Sequence, residues 1–212
     1  MLSISLMIKF PPNNYKIKKN NFEVDYIDTL NLVQKNLDFK KISKISTLFE
    51  ETIKNDNNIF IIGNGGSAAV SNHFVCDFNK GLSKISNKKK VKFISLTNSI
   101  ETITAISNDV SFNKIFYNQL ENFYHKGDLI YIMSCSGTSP NIMHALRFCK
   151  KNNSKVVFVT GFLERKINYK FKVFINLNCK NYGICEDTFS TIMHITCQKL
   201  RIKYSKSNLK IL

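Results

Sequence analysis

A histidine and a carboxylate lie four residues apart in the stretch IFIIGNGGSAAVSNHFVCDF, which covers residues 59–78. Residues at this spacing share one face of a helix, so a helical stretch would place His73 and Asp77 side by side. An imidazole and a carboxylate suit general acid–base chemistry near neutral pH, and the same groups bind divalent metals such as zinc. The pair therefore marks a candidate site for proton transfer or metal binding.

A second histidine with an acidic partner lies near the end of the chain. A long amphipathic segment spans about 184–204, and it carries Glu186 and, eight residues later, His194. Such a histidine alone is often a packed core residue, and the acidic partner favours a functional role. His125 and His144 have no partner in any motif and are interpreted as surface or packed histidines.

Two small polar loops each stand between an apolar run and a helix-like segment. They are GNGGS at 63–67 and SCSGTS at 134–139, the second followed by Pro140. Backbone N–H groups at a helix start attract phosphate, glycine allows close approach, and hydroxyls add donors. Neither loop is a GKS/T or GxGxxG motif. Either alone could be a tight turn, but two on successive sheet units favour an anion site.

The elements that would position these loops are predicted strands that alternate with helices. Apolar runs of strand length lie at 59–62, 91–96, 128–133, 155–159 and 172–177. Helical or turn segments separate them, which is typical of a doubly wound, mostly parallel sheet covered on both faces. Two amphipathic helical patterns precede the sheet, at 23–37 and 40–55.

These patterns predict one domain over residues 22–206, a flexible basic arm at 1–21 and a C-terminal tail at 207–212. Met7 is a second candidate start of the chain, and the first residues lack the basic flank of a secretory signal. No apolar run approaches about 20 residues, so no membrane span is expected. The six cysteines are scattered without a CxxC pair, which favours reduced thiols in a cytoplasmic protein.

The net charge of +16 raises the question of a nucleic-acid partner. Lysine supplies nearly all of it, spread along the chain, and arginine, the better ligand for phosphates, occurs only as Arg147, Arg165 and Arg201. We interpret the charge as a compositional bias toward lysine and expect no nucleic-acid partner.

Taken in order, the motifs resemble the sugar isomerase (SIS) domain family, and within it the phosphoheptose isomerase branch. The resemblance covers about residues 23–204. It rests on the helix pair, GNGGS with a histidine six residues later, Ser-Asn-Asp at 107–109, SxSGxS, and a final helix with Glu186 and His194. It implies a five-stranded SIS fold and an enzyme that converts sedoheptulose 7-phosphate to D-glycero-D-manno-heptose 7-phosphate for surface-polysaccharide biosynthesis.

The resemblance also implies a role for each matching position. The residues that would contact the sugar are Asn64, Gly65, Gly66, Ser67, Asn108, Asp109 and Glu186. Those that would hold the phosphate are Ser134, Cys135, Ser136 and Ser139, with Thr138 nearby. The zinc ligands of the family correspond to His73, Asp77, Glu186 and His194. The two proton-transfer groups correspond to Asp77 and His194.

This chemistry agrees with the residue types. Moving a carbonyl between C2 and C1 takes a proton from one carbon and returns it to the next through an enediol, and a carboxylate and a histidine suit that work. A divalent metal would polarise the carbonyl.

Three positions depart from the family pattern. Asp77 replaces a glutamate, Glu186 replaces a glutamine, and Cys135 replaces a threonine. The shorter Asp77 leaves the reach of the base open. Asp187 lies seven residues before His194, closer to its face than Glu186, so the sequence leaves open which acid faces the site. The Glu186-Asp187 pair resembles a subgroup from surface-polysaccharide gene clusters.

The amphipathic helices before the sheet need apolar partners. In the resembling family they pack between subunits, so a homotetramer is expected, with the active site bordering a neighbouring chain. Two alternatives stay open: a non-catalytic SIS module of the type that partners a replication initiator, and an isomerase for another phosphosugar. The first lacks the full metal and acid–base set, which this chain has.

Overall fold

The computed structural model of the 212-residue chain describes residues 7–17, 19–82 and 90–204. The predicted tail at 207–212, the last two residues of the predicted domain and the segment before Met7 lie outside the described residues. Within them, five strands are present: β1 (Ile59–Ile62), β2 (Phe93–Ser95), β3 (Leu129–Ser134), β4 (Lys155–Thr160) and β5 (Val173–Asn176). The α-helices are α1 (Phe22–Lys35), α2 (Phe39–Lys54), α3 (Gly66–Leu82), α4 (Ile100–Ile106), α5 (Ile115–Phe123), α6 (Pro140–Lys151) and α7 (Tyr182–Tyr204).

The five strands form one parallel sheet in the order β2-β1-β3-β4-β5. The prediction of a doubly wound parallel sheet of five strands is confirmed. β1 pairs with β2 on one side and with β3 on the other, with Ile59 opposite both Phe93 and Leu129. The winding direction therefore reverses between β1 and β3. In open α/β sheets such a switch point forms the ligand crevice at the carboxyl ends of the strands.

The strands are apolar because both faces of the sheet are covered. Ile59 and Ile61 of β1 point into a core shared with α2, α3 and α7. Phe60 and Ile62, one residue further along, point into a second core built with α5 and α6. This alternation explains why the strands read as continuous apolar runs rather than as a two-residue pattern.

Helix α1 leaves part of its apolar surface uncovered. Asn21 caps its first turn, where its side chain accepts a hydrogen bond from the backbone N–H of Val24 at 3.4 Å. The side chains of Val24, Ile27 and Leu32 are 49%, 52% and 50% exposed. Val33, by contrast, is 2% exposed and packs in the core. The helix thus contacts the domain with one side and presents an apolar strip on the other.

Part of the segment predicted as a flexible arm packs onto the domain. The backbone of Ile8 donates to Asn178 at 2.7 Å and accepts from Lys180 at 2.7 Å, which adds a short parallel bridge beyond β5. Phe10 is buried and its ring lies 5.4 Å from that of Phe22. The segment reads as a flexible arm because it is rich in lysine and asparagine. Its few apolar residues and backbone hydrogen bonds nevertheless hold it against the domain.

No helix within residues 7–17, 19–82 and 90–204 is long and apolar enough to cross a membrane.

Candidate active site

The first loop of the switch point joins β1 to α3. Its Gly65 has a φ of +54°, a left-handed conformation that glycine adopts without strain. A side chain at Gly66 would clash with the Glu186 carboxylate, so glycine lets that acid approach the start of α3. Ser67 is buried, and its carbonyl accepts from the Ser71 hydroxyl at 2.8 Å. The GNGGS loop therefore allows side chains from α7 to approach closely.

A pair of amides ties the two switch-point loops together. Asn64 and Asn141 exchange two hydrogen bonds of 2.8 Å each between their side chains. Asn141 also accepts from the backbone N–H of Ile142 at 2.9 Å and is 1% exposed. Because Asn64 is committed to this pair, its amide positions the loop against the start of α6. Asn141 was not among the residues that the sequence singled out.

The second loop follows β3 and leads into α6. The hydroxyl of Ser134 accepts from the N–H of Gly137 at 3.1 Å, and that of Ser136 accepts from Thr138 at 3.3 Å. Ser139 precedes α6, and its side chain makes no capping hydrogen bond there. The loop thus curls at the positive end of a helix of twelve residues, where backbone N–H groups and hydroxyls can serve an anion.

A cavity of about 310 Å³ opens beside this loop. Ser136 and Thr138 line it, together with Arg165 after β4 and Lys180 before α7. Glu164 also lines it and lies 3.3 Å from the Lys180 ammonium. Sequence reasoning missed these cations because they lie in loops without periodicity. Their positions after β4 and β5, at the carboxyl edge of the sheet, are the signal that could have found them.

A group of predicted site residues joins α3 to α7. The Nε2 atoms of His73 and His194 lie 3.5 Å and 3.6 Å from Oδ2 of Asp77. One ligand atom from each residue lies within 4.8 Å of those of the other two, and all three side chains are partly exposed. The His194 ring also packs against Phe74. The sequence-predicted pair on α3 thus meets the histidine of α7 in an arrangement that could hold a metal ion.

Glu186, the fourth predicted ligand, does not join this group, which within the described residues consists of the two histidines and Asp77. Its carboxylate lies against Gly66 and accepts from the backbone N–H of Ser67. It also lies 4.0 Å from the Cys135 thiol, so it stands between the two loops. Burial raises the pKa of Glu186, the charge of Asp187 adds to the rise, and the Ser67 N–H opposes it.

Asp187 faces the other side of α7. Its carboxylate accepts from the Tyr26 hydroxyl at 3.0 Å, and burial together with this bond raises the pKa of Tyr26 to about 12. Of the two adjacent acids, the structure therefore places Glu186 at the loops and Asp187 against α1.

The Cys135 side chain packs between the SCSGTS loop and the start of α7. Its thiol lies 3.9 Å from the carbonyl of Tyr182, at the start of α7, and its side chain is buried. The carbonyl of Cys135 accepts from the N–H groups of Gly161 and Phe162, at 3.0 and 2.8 Å. The thiol thus lies among the helix and loop backbone on the α7 side, while the neighbouring Ser136 lines the cavity.

Asn108 and Asp109 lie in a π-helical turn, Ser107–Ser111, that follows α4. Both are exposed, and the Asn108 amide donates to the Asp109 carboxylate at 2.8 Å. Neither forms a hydrogen bond to the two switch-point loops within the described part of the chain. The structure therefore leaves this pair apart from the other predicted sugar contacts.

The group of His73, Asp77 and His194 lies some distance along α3 from the GNGGS loop. Helices α3 and α7 run side by side in the same direction, with Gly66 beside Glu186 at one end and Gly81 beside Arg201 further along. At 1.5 Å per residue, Asp77 lies about 16 Å beyond the start of α3 along the helix axis. Glu186 lies next to the loops, whereas the two histidines and Asp77 lie two to three turns away.

Comparison with known proteins agrees with this architecture. A profile of the SIS domain matches residues 25–161. The "Probable phosphoheptose isomerase" of Thermoplasma volcanium is 31% identical over 180 residues, which are 85% of this chain and 91% of that relative. The phosphoheptose isomerase of Geotalea uraniireducens is 30% identical over 160 residues, 76% of this chain and 84% of its own.

Among solved structures, the phosphoheptose isomerase from Neisseria gonorrhoeae superposes with a TM-score of 0.76. It is 22% identical, over 87% of this chain and 98% of that chain, and so shows the shared fold. With its matching profile, its sequence relatives and its fold, this chain belongs to the SIS domain family, in the phosphoheptose isomerase branch.

Proposed function

We propose that this protein is an aldose–ketose isomerase that converts sedoheptulose 7-phosphate to D-glycero-D-manno-heptose 7-phosphate, in surface-polysaccharide biosynthesis. The observation that carries the proposal is the meeting of His73, Asp77 and His194 between α3 and α7. A non-catalytic binding module would not need this set of groups. The names of the relatives supply the substrate.

In the proposed reaction the Asp77 carboxylate takes the proton from C1 of the open-chain ketose and the electron pair of that bond forms the enediol. The proton returns at C2, which leaves an aldehyde at C1. His194, whose Nε2 lies 3.6 Å from the same carboxylate, moves the proton between the two sugar oxygens. Both groups suit proton transfer near neutral pH.

The donor set also fits zinc. A tetrahedral zinc ion with bonds of about 2.0–2.2 Å sets its ligand atoms about 3.3–3.6 Å apart. The distances from Asp77 Oδ2 to the two imidazole nitrogens, 3.5 and 3.6 Å, match this spacing. With Glu186 at the loops, three protein ligands remain, the number typical of a catalytic site with an open position. When bound, such an ion would polarise the substrate carbonyl.

Removing the metal should therefore abolish turnover. We expect dialysis against a chelator to reduce activity at least 10-fold, since several kcal/mol of charge stabilisation are lost, and zinc to restore it. Metal analysis should find about one zinc per chain in wild type and less in His73→Ala. Full activity in metal-free protein would contradict a catalytic role for the ion.

Arg165 and Lys180, the two cations beside the SCSGTS loop, should set the affinity for the phosphate. Arg165→Ala should raise KM about 3–20-fold, because solvent exposure reduces the roughly 1.5–3 kcal/mol of a charged hydrogen bond. The adjacent Lys166→Ala removes the same charge outside this cavity and is the matched control. Glu164→Gln removes a negative charge from the cavity and should lower KM. Equal effects of the two alanine variants would show a general charge effect instead.

We also propose that the protein is a homotetramer of the cytoplasm. The exposed strip of Val24, Ile27 and Leu32 on α1 supports contact with a partner chain. The six cysteines are free, as expected in a reducing compartment.

Light scattering at micromolar concentration should report four chains per particle. The double variant Ile27→Lys and Leu32→Lys should shift the mass toward smaller species, because charges would be buried in the contact. A monodisperse wild-type monomer would overturn the tetramer.

The substrate itself is tested by a panel of ketose phosphates. Sedoheptulose 7-phosphate should give the highest kcat/KM, measured from the aldose formed. A higher value for a ketose phosphate of another length would keep the isomerase and change the substrate. No turnover with any of them, despite binding, would favour the non-catalytic module.

A further inference from the structure

A second basic cavity lies beyond the phosphate loop, between α6 and the segment after β4. It has a volume of about 250 Å³. Arg147 and Lys150 line it from α6, and Arg165 and Lys166 line it from the other side. Apolar side chains and the ring of Tyr169 complete it, and no acidic residue does. We call this cavity the basic groove.

The arginines of the groove are not explained by the lysine-rich composition. The chain has three arginines in 212 residues, and two of them, Arg147 and Arg165, line this one groove. Arginine binds phosphate through two parallel N–H donors, whereas lysine offers a single charged point. A general bias toward lysine predicts scattered lysines and does not predict a pair of scarce arginines at one place.

The cations of the groove form no ion pair with an acid of the described residues. Within residues 7–17, 19–82 and 90–204, none of its arginines and lysines forms an ion pair. Arg147 instead lies 3.3 Å from Nε2 of His144. Burial lowers the pKa of this imidazole, and the charges of Arg147 and Lys114 lower it further. The positive field of the groove is therefore left for a ligand to neutralise.

Two contacts hold the Tyr169 ring in place at the groove. The hydroxyl of Tyr169 donates to the carbonyl of Ser154, and its ring lies 4.9 Å from that of Phe171. Arg147 and Lys150 stand three residues apart on one face of α6, and Arg165 and Lys166 line the same cavity from the segment after β4. Four cations around one cavity suit two phosphate groups, and the apolar side chains suit a flat or apolar body.

We propose that the basic groove binds a small ligand with two linked phosphate groups and a flat body, as in a nucleoside diphosphate. The groove is a cavity distinct from the one at the SCSGTS loop, although the two share Arg165. The inference does not depend on the proposed function. Arg165 lines both cavities, so a test must leave it unchanged.

Calorimetry on the full chain tests the proposal with two ligands: adenosine diphosphate, and pyrophosphate, which carries the two phosphates without a nucleoside. Arg147→Ala with Lys150→Ala should weaken adenosine diphosphate binding about 10-fold, because two exposed ion pairs each contribute a factor of roughly 2–5. Lys19→Ala with Lys126→Ala removes the same charge from exposed lysines elsewhere and should change affinity less than twofold. Pyrophosphate should bind more weakly than adenosine diphosphate and lose affinity in the same variant.

A third variant separates the groove from the phosphate loop. Ser134→Ala with Ser136→Ala should leave adenosine diphosphate binding intact. If the Ser134→Ala, Ser136→Ala variant lost adenosine diphosphate binding while the Arg147→Ala, Lys150→Ala variant kept it, the diphosphate would be assigned to the SCSGTS loop and the proposal overturned. It would also be overturned if the two charge variants weakened binding equally, or if wild type bound neither probe at millimolar concentration. Thermal melts of all variants confirm that they remain folded.

Discussion

Asp77→Asn or His194→Gln should lower kcat by about 10²–10⁴-fold, the usual contribution of a positioned acid or base. Both side chains belong to the group that joins α3 to α7, and each lies within 3.6 Å of its partner. Binding of the phosphosugar should survive, because neither residue lies in the SCSGTS loop. Steady-state kinetics with calorimetry separates the two effects.

The competing explanation is that both residues only pack or hydrogen-bond. It predicts a lower melting temperature with near-normal turnover in the folded fraction. Asp77→Glu should retain activity, since it restores the longer acid of the family pattern. Asp187→Asn is the control, because it removes a nearby charge that faces Tyr26 instead of the site.

Should Asp77→Glu be inactive while Asp77→Asn turns over, the base is a different carboxylate. Glu186 is then the candidate, because its carboxylate stands between the two loops, 4.0 Å from the Cys135 thiol. Glu186→Gln, which also restores the residue type of the family pattern, would in that case abolish turnover. If Asp77 is the base, the same substitution should leave most of the activity.

Replacing Ser134 and Ser136 with alanine together should cost roughly 2–5 kcal/mol of phosphosugar binding. Each hydrogen bond to a charged group contributes about 1.5–3 kcal/mol, and neighbouring losses are not additive. The two hydroxyls also hold the N–H groups of Gly137 and Thr138, so their removal loosens the loop backbone. Calorimetry with sedoheptulose 7-phosphate measures the loss.

Sedoheptulose without its phosphate is the matched ligand for this experiment. Its affinity should change little in the double variant, since the loop recognises the anion. An unchanged affinity for the phosphorylated sugar would place the phosphate elsewhere, with Arg165 and Lys180 as the groups to examine next.

The strands could be predicted from sequence because each is buried on both faces. The run predicted at 128–133 is observed as Leu129–Ser134, and the run at 59–62 is observed unchanged. The two edge strands are shorter than predicted: β2 is Phe93–Ser95 against 91–96, and β5 is Val173–Asn176 against 172–177. An edge strand pairs on one side alone, so fewer of its residues are held in the ladder.

Side-chain direction on α7 could not be predicted from spacing. Asp187 lies seven residues before His194, which suggests one shared helix face. The structure packs α7 against α1, α2 and α3, so Asp187 contacts Tyr26 of α1 while His194 contacts Asp77 of α3. Helix periodicity predicts the direction in which each side chain leaves the helix axis. It does not predict which neighbouring helix lies in that direction.

Two further contacts also could not be predicted from local sequence patterns: the amide pair, and the cations of the cavity beside the SCSGTS loop. Asn64 and Asn141 are 77 residues apart in the chain and meet only because β1 and β3 are neighbours in the sheet. Arg165 and Lys180 come together for the same reason, from loops after β4 and β5. Such contacts follow from strand order, which local patterns leave undetermined.

The isomerase itself is tested most directly by carbon NMR with sedoheptulose 7-phosphate labelled with ¹³C at C2. In the presence of the zinc-loaded protein, the signal of the labelled C2 should shift from that of the ketose C2 to that of a hydroxyl-bearing carbon next to the aldehyde carbon of the aldose. The Asp77→Asn variant should leave the ketose C2 signal unchanged over the same period. A C2 signal that stays that of the ketose with wild-type protein, while calorimetry shows the sugar phosphate bound, would contradict an isomerase for this substrate.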